Sequence, residues 1–565
     1  MGLNRRSVRG LPCIVFLCGL TLQTSELGAQ TAPDAGRILQ DTKPAPAFPP
    51  SSSAPIQSHL PQISRPKTES SDVRVKVERF AFTGNSALSA DELAKAVAHF
   101  AGQALDFGEL TQAVEAIEAR YKQAGFFLAQ VYLPPQKIHD GVVEIAVNEG
   151  RLGEARLEGE SRVAPDVVFG YLDKLPKNEP LTLPVLERQV LLINELAGGQ
   201  ASLDLQAGDA AGTTDVVLAQ KSEEAVNIRF EANNYGLPST GENRFGATVT
   251  LNSPANAGER ITLNALTSDN AGLSSYSLRD ELPVGAQGVH LFVSASRAQY
   301  SLGGTFASLK ANGIADSVHL GASYPYIRSR AKNLRIQLDA DKSSLHDEFQ
   351  STNTVLEKQS EGATLLLSYD WLDEVSGAAS SKIDLSLKSG HLSLGTTAAA
   401  QDAPPSGLST AGSFSKANLT LQRQQTLSKD WSVSVLVMGQ VASKNLDSSE
   451  KLSLGGPTSI PGYASGEANA DSGYQTKLTL RWQAAPRVSL TTFMDFAELQ
   501  LSVNPLASTA AGKNTKRLSD AGFGLDWQLD KHFSVNALVA WAGEEAPNAT
   551  DNKQPRLWIN AGYSW

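Results

Sequence analysis

The chain has 565 residues, 41% of them hydrophobic, with 49 Lys and Arg against 59 Asp and Glu and a formal net charge of −10. This length predicts several modules rather than one core, and the negative charge excludes the basic surface typical of nucleic-acid-binding proteins. After the first thirty residues no apolar run approaches the ~18 residues that a membrane helix needs. A helical membrane bundle is therefore excluded, whereas a membrane β-barrel, whose strands are individually weak signals, is not.

Residues 1–29 have the pattern of a secretory signal peptide. Three arginines precede an apolar stretch from Leu11 to Leu22, and the small residue Ala29 ends the segment. A short anchor helix is the alternative, disfavoured because the apolar stretch is shorter than a bilayer requires. Both cysteines, Cys13 and Cys18, lie within this segment. Its cleavage would leave a chain without disulfides or thiolate sites.

Residues 30–71 form a linker rich in Pro, Ser, Ala and Gln, with little to bury. Within it, the small apolar patch of Ile38 and Leu39 predicts a short helix over Asp34–Asp41.

Residues 72–222 contain two copies of a β-α-α-β-β pattern, about 70 to 75 residues each. In the first copy, 72–150, capping boxes at Ser89–Glu92 and Asp106–Glu109 begin two amphipathic helices, and Gly125 ends the second helix. The second copy, 151–222, repeats this order, with helices predicted over 164–175 and 183–197. The predicted strands are Val73–Phe82, Phe126–Leu133, Val142–Val147, Gly153–Glu158, Ala201–Gln206 and Thr214–Ala219.

From residue 223 to 565 apolar and polar residues alternate in many short segments, such as Val226–Asn233, Phe245–Asn252 and Ile383–Lys388. Such segments are about ten residues long, the length of a tilted strand that crosses a bilayer. We count about sixteen, an even number as a bacterial barrel requires, and predict an all-β transmembrane barrel of antiparallel strands. The segments start near residues 225, 244, 259, 274, 288, 317, 333, 362, 381, 414, 431, 474, 487, 518, 532 and 556.

The connections between these segments alternate in length after the first few. Long loops on one side and tight turns on the other are typical of outer-membrane barrels, with the short side periplasmic, so the two repeats lie in the periplasm. A soluble β-sandwich or propeller is disfavoured, because its strands are shorter and its loops lack this asymmetry. The last strand carries Tyr563 and Trp565 on its apolar face, as expected at an aromatic girdle. The long connections are Ala298–Asp316, Lys342–Glu361, Gly390–Ser413, Ala442–Gly473 and Glu498–Arg517.

Three stretches of sequence carry a family resemblance. They are Val77–Asn85, Gly125–Gln136 and the loop stretch Leu454–Tyr474. Together they resemble the outer-membrane translocators of two-partner secretion, the haemolysin activation and secretion proteins, over almost all of the chain after residue 29. The resemblance implies two POTRA domains, 72–150 and 151–222, before a sixteen-stranded barrel, 223–565.

In that family the loop between strands eleven and twelve folds back into the lumen, and a loop arginine pairs with an aspartate on the barrel wall. Here Ile460-Pro461 stands where the family has Val-Arg, and the wall motif is matched by Phe493 and Asp495 but has Ala497 in place of Gly. The resemblance therefore implies a lumen loop whose aspartate has lost its usual partner. The loop residues implied are Gly455, Gly456, Ser459, Ile460, Pro461, Gly462, Tyr463, Gly466, Glu467 and Asp471.

Lys477 is a candidate substitute partner for Asp495. Gln475 and Lys477 alternate onto the polar face of the twelfth segment. A turn near Ala485 would place Gln475 opposite Asp495 and Lys477 diagonally beside it, at roughly 7 to 8 Å. The alternative is that Asp495 is one of many solvated carboxylates in a polar lumen.

The resemblance implies a transporter in the bacterial outer membrane that recognises an unfolded partner protein in the periplasm and exports it through its barrel. The implied partners are a secreted client, namely a large repeat exoprotein of adhesin or haemolysin type, together with membrane lipid and the barrel-assembly machinery. The helix near residue 38 would be a removable plug. An outer-membrane protein assembly factor is the alternative, disfavoured because such proteins commonly carry more than two periplasmic repeats; a passive porin would need none.

Nothing in the sequence predicts an enzyme, a cofactor or a metal site. The 8 histidines are scattered, without H-x-x-x-H spacing, and no G-x-x-x-x-G-K-[ST] phosphate-binding pattern occurs.

Overall fold

The computed structural model describes residues 32–42, 56–58, 73–210, 212–507, 509, 514–543 and 553–565. The predicted signal peptide and most of the linker lie outside these residues. The linker contributes a short helix, α1 (Ala35–Asp41), and a short strand, β1 (Ile56–Ser58). Two α+β domains and a closed barrel follow.

The first α+β domain folds around one apolar core. Both predicted capping boxes are present, at Ser89–Glu92 and Asp106–Glu109, and they begin the two helices. The sheet order is β3-β6-β5, with β3 parallel to β6, and β2 pairs separately with β4. The elements are β2 (Val75–Lys76), β3 (Arg79–Thr83), α2 (Ala90–Ala96), a 3₁₀ turn (Ala98–Phe100), β4 (Ala104–Leu105), α3 (Phe107–Gln123), β5 (Gln130–Tyr132) and β6 (Val142–Asn148).

Two strand predictions in this domain were too long. Val73–Phe82 is split, because the N–H of Val77 donates to Gln103 whereas the N–H of Glu78 donates to Gly141, so the chain changes partners between β2 and β3. The predicted strand Phe126–Leu133 is reduced to β5. Its first residues form a turn instead, in which the N–H of Phe126 donates back to the carbonyl of Tyr121.

The second α+β domain repeats the first and gains one strand from the linker. Its sheet order is β1-β8-β9-β7, in which β1 lies parallel to β8 along its edge. The two helices end three to four residues earlier than predicted, because the N–H groups of Leu175 and Leu196 bond three residues back and tighten the last turn. The elements are β7 (Arg151–Gly159), α4 (Pro165–Leu172), α5 (Leu183–Ile193), β8 (Gly199–Ala207) and β9 (Thr213–Ser222).

The barrel has sixteen antiparallel strands, each paired with its neighbours, and the last strand pairs with the first. This confirms the predicted fold. A small hairpin, β21 (Leu452–Leu454) with β22 (Ala468–Ala470), lies in the loop between the eleventh and twelfth barrel strands. The barrel strands are β10 (Val226–Asn233), β11 (Arg244–Asn252), β12 (Arg260–Ser268), β13 (Leu273–Val284), β14 (Val289–Ser301), β15 (Ala311–Arg328), β16 (Lys332–Phe349), β17 (Thr354–Asp373), β18 (Ala379–Leu394), β19 (Gly412–Thr426), β20 (Trp431–Ala442), β23 (Ser472–Ala485), β24 (Val488–Gln500), β25 (Thr515–Gln528), β26 (Phe533–Ala542) and β27 (Arg556–Ser564).

Several central strands are longer than the ten residues expected of a bilayer crossing. β15 and β16 have 18 residues each and β17 has 20. The predicted long connection Lys342–Glu361 is therefore mostly strand, closed by a turn at 350–353. The apolar-polar alternation weakens there because the outward face of β16 no longer meets lipid and carries polar residues, Lys342, Ser344, His346 and Glu348. Of the other connections, 395–411 carries a short helix, α6 (Thr396–Asp402), and 302–310 a 3₁₀ turn (Gly304–Leu309).

The outward face of the barrel is apolar and carries aromatic residues at both ends of the strands. On β23, Tyr474 and Trp482 point outward on either side of Leu478. Eight residues separate the two rings, which is ~26 Å along a strand, close to the height of the apolar band of such barrels. Trp482 stacks on Trp431 of β20 beside the periplasmic turns, with ring centroids 5.8 Å apart.

Candidate functional site in the barrel lumen

The loop between β20 and β23, residues 443–471, folds into the lumen, and we call it the lumen loop. Its tip turns at Gly455 and Gly456, whose φ angles of +111° and +90° are strained for residues with a side chain. The N–H of Gly456 donates to the carbonyl of Tyr463 at 3.0 Å, and the Ser459 hydroxyl bonds both polar groups of Gly455. The tip is therefore a compact turn.

The barrel wall holds the tip of the lumen loop mainly through backbone atoms of the loop. The N–H of Gly462 donates to Oδ2 of Asp520 on β25 at 2.5 Å, and the carbonyl of Pro461 accepts from the indole Nε1 of Trp558 on β27 at 2.7 Å. A Cβ at Gly462 would lie 2.7 Å from the Asp520 Cβ and 2.9 Å from the backbone nitrogen of Ala542. Only glycine allows so close an approach to the wall.

Lys477 lies beside Asp495, but not in the predicted register. The two residues are direct partners across β23 and β24, with Nζ 3.1 Å from Oδ2, whereas Gln475 pairs with Ala497 and reaches Asp495 diagonally, at 2.8 Å. The prediction slipped because the hairpin turns at residues 486–487, just after Ala485, which pairs with Val488. The ammonium group of Lys477 and the side-chain amide of Gln475 thus both lie between the Asp495 carboxylate and the lumen loop.

The same two wall side chains contact the loop at Ser459. Lys477 Nζ lies 3.3 Å from the carbonyl of Ser459 and Gln475 Nε2 lies 2.9 Å from it. Phe493 packs beneath, with Lys477 Nζ 4.7 Å from the ring centre. The cation that faces Asp495 is therefore Lys477 of the wall, and it contacts the lumen loop at the main-chain oxygen of Ser459.

An apolar cluster supports these polar contacts. Ile460 and Tyr463 are fully buried with Ala497 and Leu518 of the wall. Isoleucine fits at position 460 because its side chain enters this cluster, and the methyl group of Ala497, at the family's glycine position, is part of it.

The base of the loop is fixed by two buried ion pairs. Glu467 pairs with Lys516 of β25 at 2.8 Å, and Asp471 pairs with Lys451 at 2.7 Å. Asp471 also accepts the backbone N–H groups of Leu446 and Val503, which lie in different loops. It therefore ties both ends of the lumen loop to the loop after β24.

Helix α1 also lies in the lumen, against β14, β15 and β16. Its apolar side, with Ile38 and Leu39, packs on Leu273, Tyr300 and other wall residues. Asp34 caps the helix by accepting from the N–H of Arg37 at 3.0 Å, and the N–H of Ala35 donates to Asp347 of the wall at 2.7 Å. A helix this short is unstable alone, so the wall contacts determine its position.

Lys358 of β17 joins the helix, the wall and the lumen loop. Its Nζ lies 2.8 Å from Oδ2 of Asp34 and 2.9 Å from Oδ2 of Asp447, and the Ser448 hydroxyl donates to Asp34 at 2.7 Å. A second contact runs from the guanidinium of Arg37 to the carbonyl of Ser465, at 3.0 Å. Helix and loop therefore form one packed unit inside the barrel.

A Cβ at Gly466, where φ is +61°, would lie 2.5 Å from the Arg37 guanidinium, so this close contact between loop and helix requires glycine.

The lumen loop residues singled out from the sequence lie together in the lumen, whereas Tyr563 and Trp565 lie apart from them on the outward side of the barrel. The sequence did not single out Lys358, Asp347, Asp447, Lys516, Asp520 or Trp558. The alternation of β25 could have placed Asp520 inward, but nothing local shows that it meets Gly462.

One histidine does converge with carboxylates, contrary to expectation. Potential ligand atoms of His319, Asp339 and Asp341, on β15 and β16, lie within 4.8 Å of one another. Asp341 is already paired with Lys388 at 2.8 Å, and we assign no metal to this group.

The periplasmic mouth of the lumen is open and polar. A cavity of about 530 Å³ lies between Gln200 and Lys221 of the second α+β domain and Asn227, Thr250 and Arg260 of the barrel. Within the described residues, no helix has both the length and the apolar character to cross a bilayer.

A closed sixteen-stranded barrel, two periplasmic α+β domains and a lumen filled by a helix and a folded loop define an outer-membrane protein transporter. Comparison with known proteins agrees. A model of the haemolysin secretion/activation protein ShlB/FhaC/HecB matches residues 212–540, and a model of the ShlB-type POTRA domain matches 75–150. The chain belongs to the haemolysin secretion/activation protein family.

Relatives and solved structures are similar over most of the chain. The heme/hemopexin transporter protein HuxB of Haemophilus influenzae (strain 86-028NP) is 25% identical over 482 residues, 84% of each chain. The hemolysin transporter protein ShlB of Serratia marcescens is 25% identical over 387 residues, 67% of each. The structure of CdiB from Escherichia coli has a TM-score of 0.71 at 18% identity, covering 89% of this chain and 92% of that one. The predicted family, fold, outer-membrane location and export function are confirmed.

Proposed function

We propose that this chain exports a secreted client protein, in unfolded form, through its own lumen. The observation that carries the proposal is that α1 and the lumen loop fill the channel without belonging to its wall. Both are held by hydrogen bonds and ion pairs, such as those of Lys358 and Asp520. These contacts can break while all sixteen wall strands stay paired, so the channel opens without dismantling the barrel.

The client is a large repeat exoprotein of adhesin or haemolysin type, a choice supported by relatives such as the hemolysin transporter protein ShlB. The POTRA domains capture it as an extended strand added to a sheet edge. The polar mouth then receives the chain. Folding of the client outside drives transport, because a repeat protein gains stability with each stacked repeat. Membrane lipid and the barrel-assembly machinery serve the barrel itself, and the chain acts as a transporter rather than an enzyme.

The test is secretion of a large repeat exoprotein encoded beside this chain, in cells with and without it. We expect the exoprotein to disappear from the medium and remain in the periplasm when the chain is absent, with other outer-membrane proteins at normal levels. Normal secretion together with depleted outer-membrane barrels would overturn export and support an assembly factor. The family match and the two POTRA domains favour export.

A further inference from the structure

Two aspartates lie side by side beneath the tip of the lumen loop. Asp495 on β24 and Asp520 on β25 are direct partners across these strands, and both side chains point into the lumen. The two residues are only 4% and 5% exposed, and their carboxyl groups lie within hydrogen-bonding contact of each other. Two carboxylates this close together and this far from water would repel each other strongly if both were ionised.

One ammonium group, among the described residues, lies within ion-pair distance of the two carboxyl groups. Lys477 Nζ lies 3.1 Å from Oδ2 of Asp495. Other charged groups on β25 and β27 have partners of their own, since Lys516 pairs with Glu467 at 2.8 Å and the guanidinium of Arg556 lies 6.0 Å from the ring centre of Trp558. The remaining neighbours add no charge; they are Gln475, Tyr463, Ala497 and Ala542.

The hydrogen bonds at this pair leave one oxygen of each carboxyl group without a donor. Asp520 Oδ2 accepts from the N–H of Gly462, and Asp495 Oδ1 accepts from Gln475 Nε2 at 2.8 Å. Asp520 Oδ1 and Asp495 Oδ2 are buried, and no hydrogen bond from the described residues reaches either of them, because Lys477 faces Asp495 Oδ2 without hydrogen-bond geometry. A single proton between these two oxygens satisfies both, as in other pairs of close carboxyl groups.

The aspartate pair also holds the tip of the loop. Gly462, whose N–H donates to Asp520, follows directly after Pro461, where the family has arginine. The family's arginine brings a positive charge to the wall aspartate from the loop. Here a second acid on the wall stands beside that aspartate instead. A proton held between the two acids supplies the positive charge that Pro461 cannot.

We propose that Asp495 and Asp520 share one proton, and that this proton replaces the missing loop cation in holding the lumen loop against the wall. With the proton, the site holds one ammonium group, one carboxylate and one carboxylic acid, and is neutral. Without it, a net negative charge is buried. Water reaches both carboxylates once the tip leaves, so the seated site binds one more proton than the released site. Raising the pH therefore favours release of the tip. The inference rests on the proposed function, in which this loop leaves the channel during export.

A reporter cysteine at the tip of the loop tests this proposal. The cysteines of the chain, Cys13 and Cys18, lie in the predicted signal peptide, so Ile460→Cys introduces one defined thiol. Ile460 is fully buried while the tip is seated, and a water-soluble thiol reagent reaches this position only after the tip leaves the wall. Thr458→Cys, exposed at the same tip, corrects for the pH dependence of the thiol itself. The ratio of the two labelling rates in the purified full chain is the readout.

We expect this ratio to rise at least fivefold from about pH 6 to about pH 9. Asp520→Asn should keep the ratio low throughout, because the amide accepts from Gly462 and donates to Asp495 without a proton that can leave. Asp520→Ala should keep the ratio high throughout, since Gly462 loses its acceptor. A ratio that does not change with pH in the unmodified chain, or that rises equally in Asp520→Asn, would overturn the proposal.

Infrared spectroscopy detects the proton directly. A protonated carboxyl group has a C=O stretching band that a carboxylate lacks, and this band shifts in D2O. At neutral pH the purified full chain should show such a band, and Asp495→Asn and Asp520→Asn should each remove it, because the proton is shared. Identical spectra in this region for the unmodified chain and both variants would contradict a shared proton.

The matched control in both experiments is Asp526→Asn. Asp526 lies on the same strand as Asp520 and also points into the lumen, but it pairs with Arg481 in an exposed position. This variant should keep both the pH dependence and the infrared band. Neither experiment needs a client. If both fail while the exoprotein is still secreted, this inference is wrong and the proposed function stands; if the chain secretes no exoprotein, the proposed function fails whatever these experiments show.

Discussion

Pro461 removes the cation from the tip of the lumen loop, and the wall supplies another. Lys477 faces Asp495 at 3.1 Å and also reaches the carbonyl of Ser459 at 3.3 Å. A loop arginine would carry its charge away when the loop leaves. Lys477 stays on the wall, so Asp495 remains paired whether the loop is in place or not. Release of the loop tip therefore leaves Asp495 with its counter-ion.

Charge reversal tests this pairing. Lys477→Glu and Asp495→Lys should each lower export at least tenfold, because each leaves two like charges together in a buried site. The double variant should recover to within about threefold of normal, since the pair is restored with opposite polarity. Secreted exoprotein in the medium is the readout.

The control for these charge-reversal variants is Arg481→Glu. Arg481 lies on the same strand and face as Lys477, but it pairs with Asp526 in an exposed position. Its effect should be small, because exposed ion pairs contribute little. Failure of the double variant to recover, with normal levels in the membrane, would show that the two residues do not act as a pair.

Glu149 is a buried carboxylate in the first POTRA domain. Burial opposes its ionisation, but hydrogen bonds from Ser86, Ala87 and Tyr121 outweigh burial and hold the pKa of this carboxyl below its usual value. The stabilisation is present in full above the unfolded-state pKa of about 4.3. It is lost as pH falls through the lower pKa of the folded state.

Glu149→Gln should destabilise the first POTRA domain by about 2 kcal/mol at neutral pH, because the charge-assisted hydrogen bonds are lost. Because glutamine does not titrate, the variant should also lack the loss of stability that protonation of Glu149 causes as pH falls. Hydrogen exchange of peptides from residues 73–150 in the full chain measures both. Glu144→Gln is the control, since Glu144 accepts an exposed hydrogen bond from Thr83; equal effects of the two variants would refute the assignment.

At the scale of elements, contacts at the N-terminus of α1 add to its apolar packing and help to hold it in the lumen. Lys358→Met removes the cation that pairs with both Asp34 and Asp447 and leaves two carboxylates facing each other. We expect the helix to leave the lumen more often, raising the open fraction of single channels in planar lipid bilayers about tenfold.

Lys342→Met is the matched control for Lys358→Met. Lys342 lies on the neighbouring strand β16 with its side chain exposed, so its replacement should leave channel opening unchanged. A closed channel in Lys358→Met, or equal opening in both variants, would mean that Lys358 does not hold the plug.

Some of this site could be predicted from the sequence and some could not. The alternation of polar and apolar residues assigned Lys477 and Asp495 to the inward face, because the two faces of a strand meet lipid and lumen. Their exact pairing depended on the position of the turn just after Ala485, which alternation does not show. Lys358 and Asp34 are separated by more than three hundred residues. No local pattern connects them, since only closure of the barrel brings them together.

At the scale of the whole molecule, closure depends on a short seam between β10 and β27. Five residue pairs join these strands, from Arg229 with Ser564 to Asn233 with Asn560. Trp565 adds two backbone hydrogen bonds with Ile228, at 2.8 and 2.9 Å. The last residue of the chain therefore extends the seam at its periplasmic end.

Deletion of Trp565 should lower the amount of folded barrel in the outer membrane several-fold, because the seam loses two hydrogen bonds and an aromatic anchor. Heat-modifiable mobility on gels separates folded from unfolded barrel. Trp565→Phe keeps the backbone and an aromatic ring and should fold normally. Normal folding of the deletion would show that the seam does not need this residue.

The barrel is much taller on one side than on the other. β16 and β17 have 18 and 20 residues, whereas β10 and β27, diametrically opposite, have 8 and 9. The difference lies at the outer end and amounts to ~25 Å in height for strands tilted by about 40°. Among the described residues, the wall of paired strands is thus lowest above the seam. We expect an exported polypeptide to leave the barrel over this low side, so that its first turns of structure form on one defined side of the transporter.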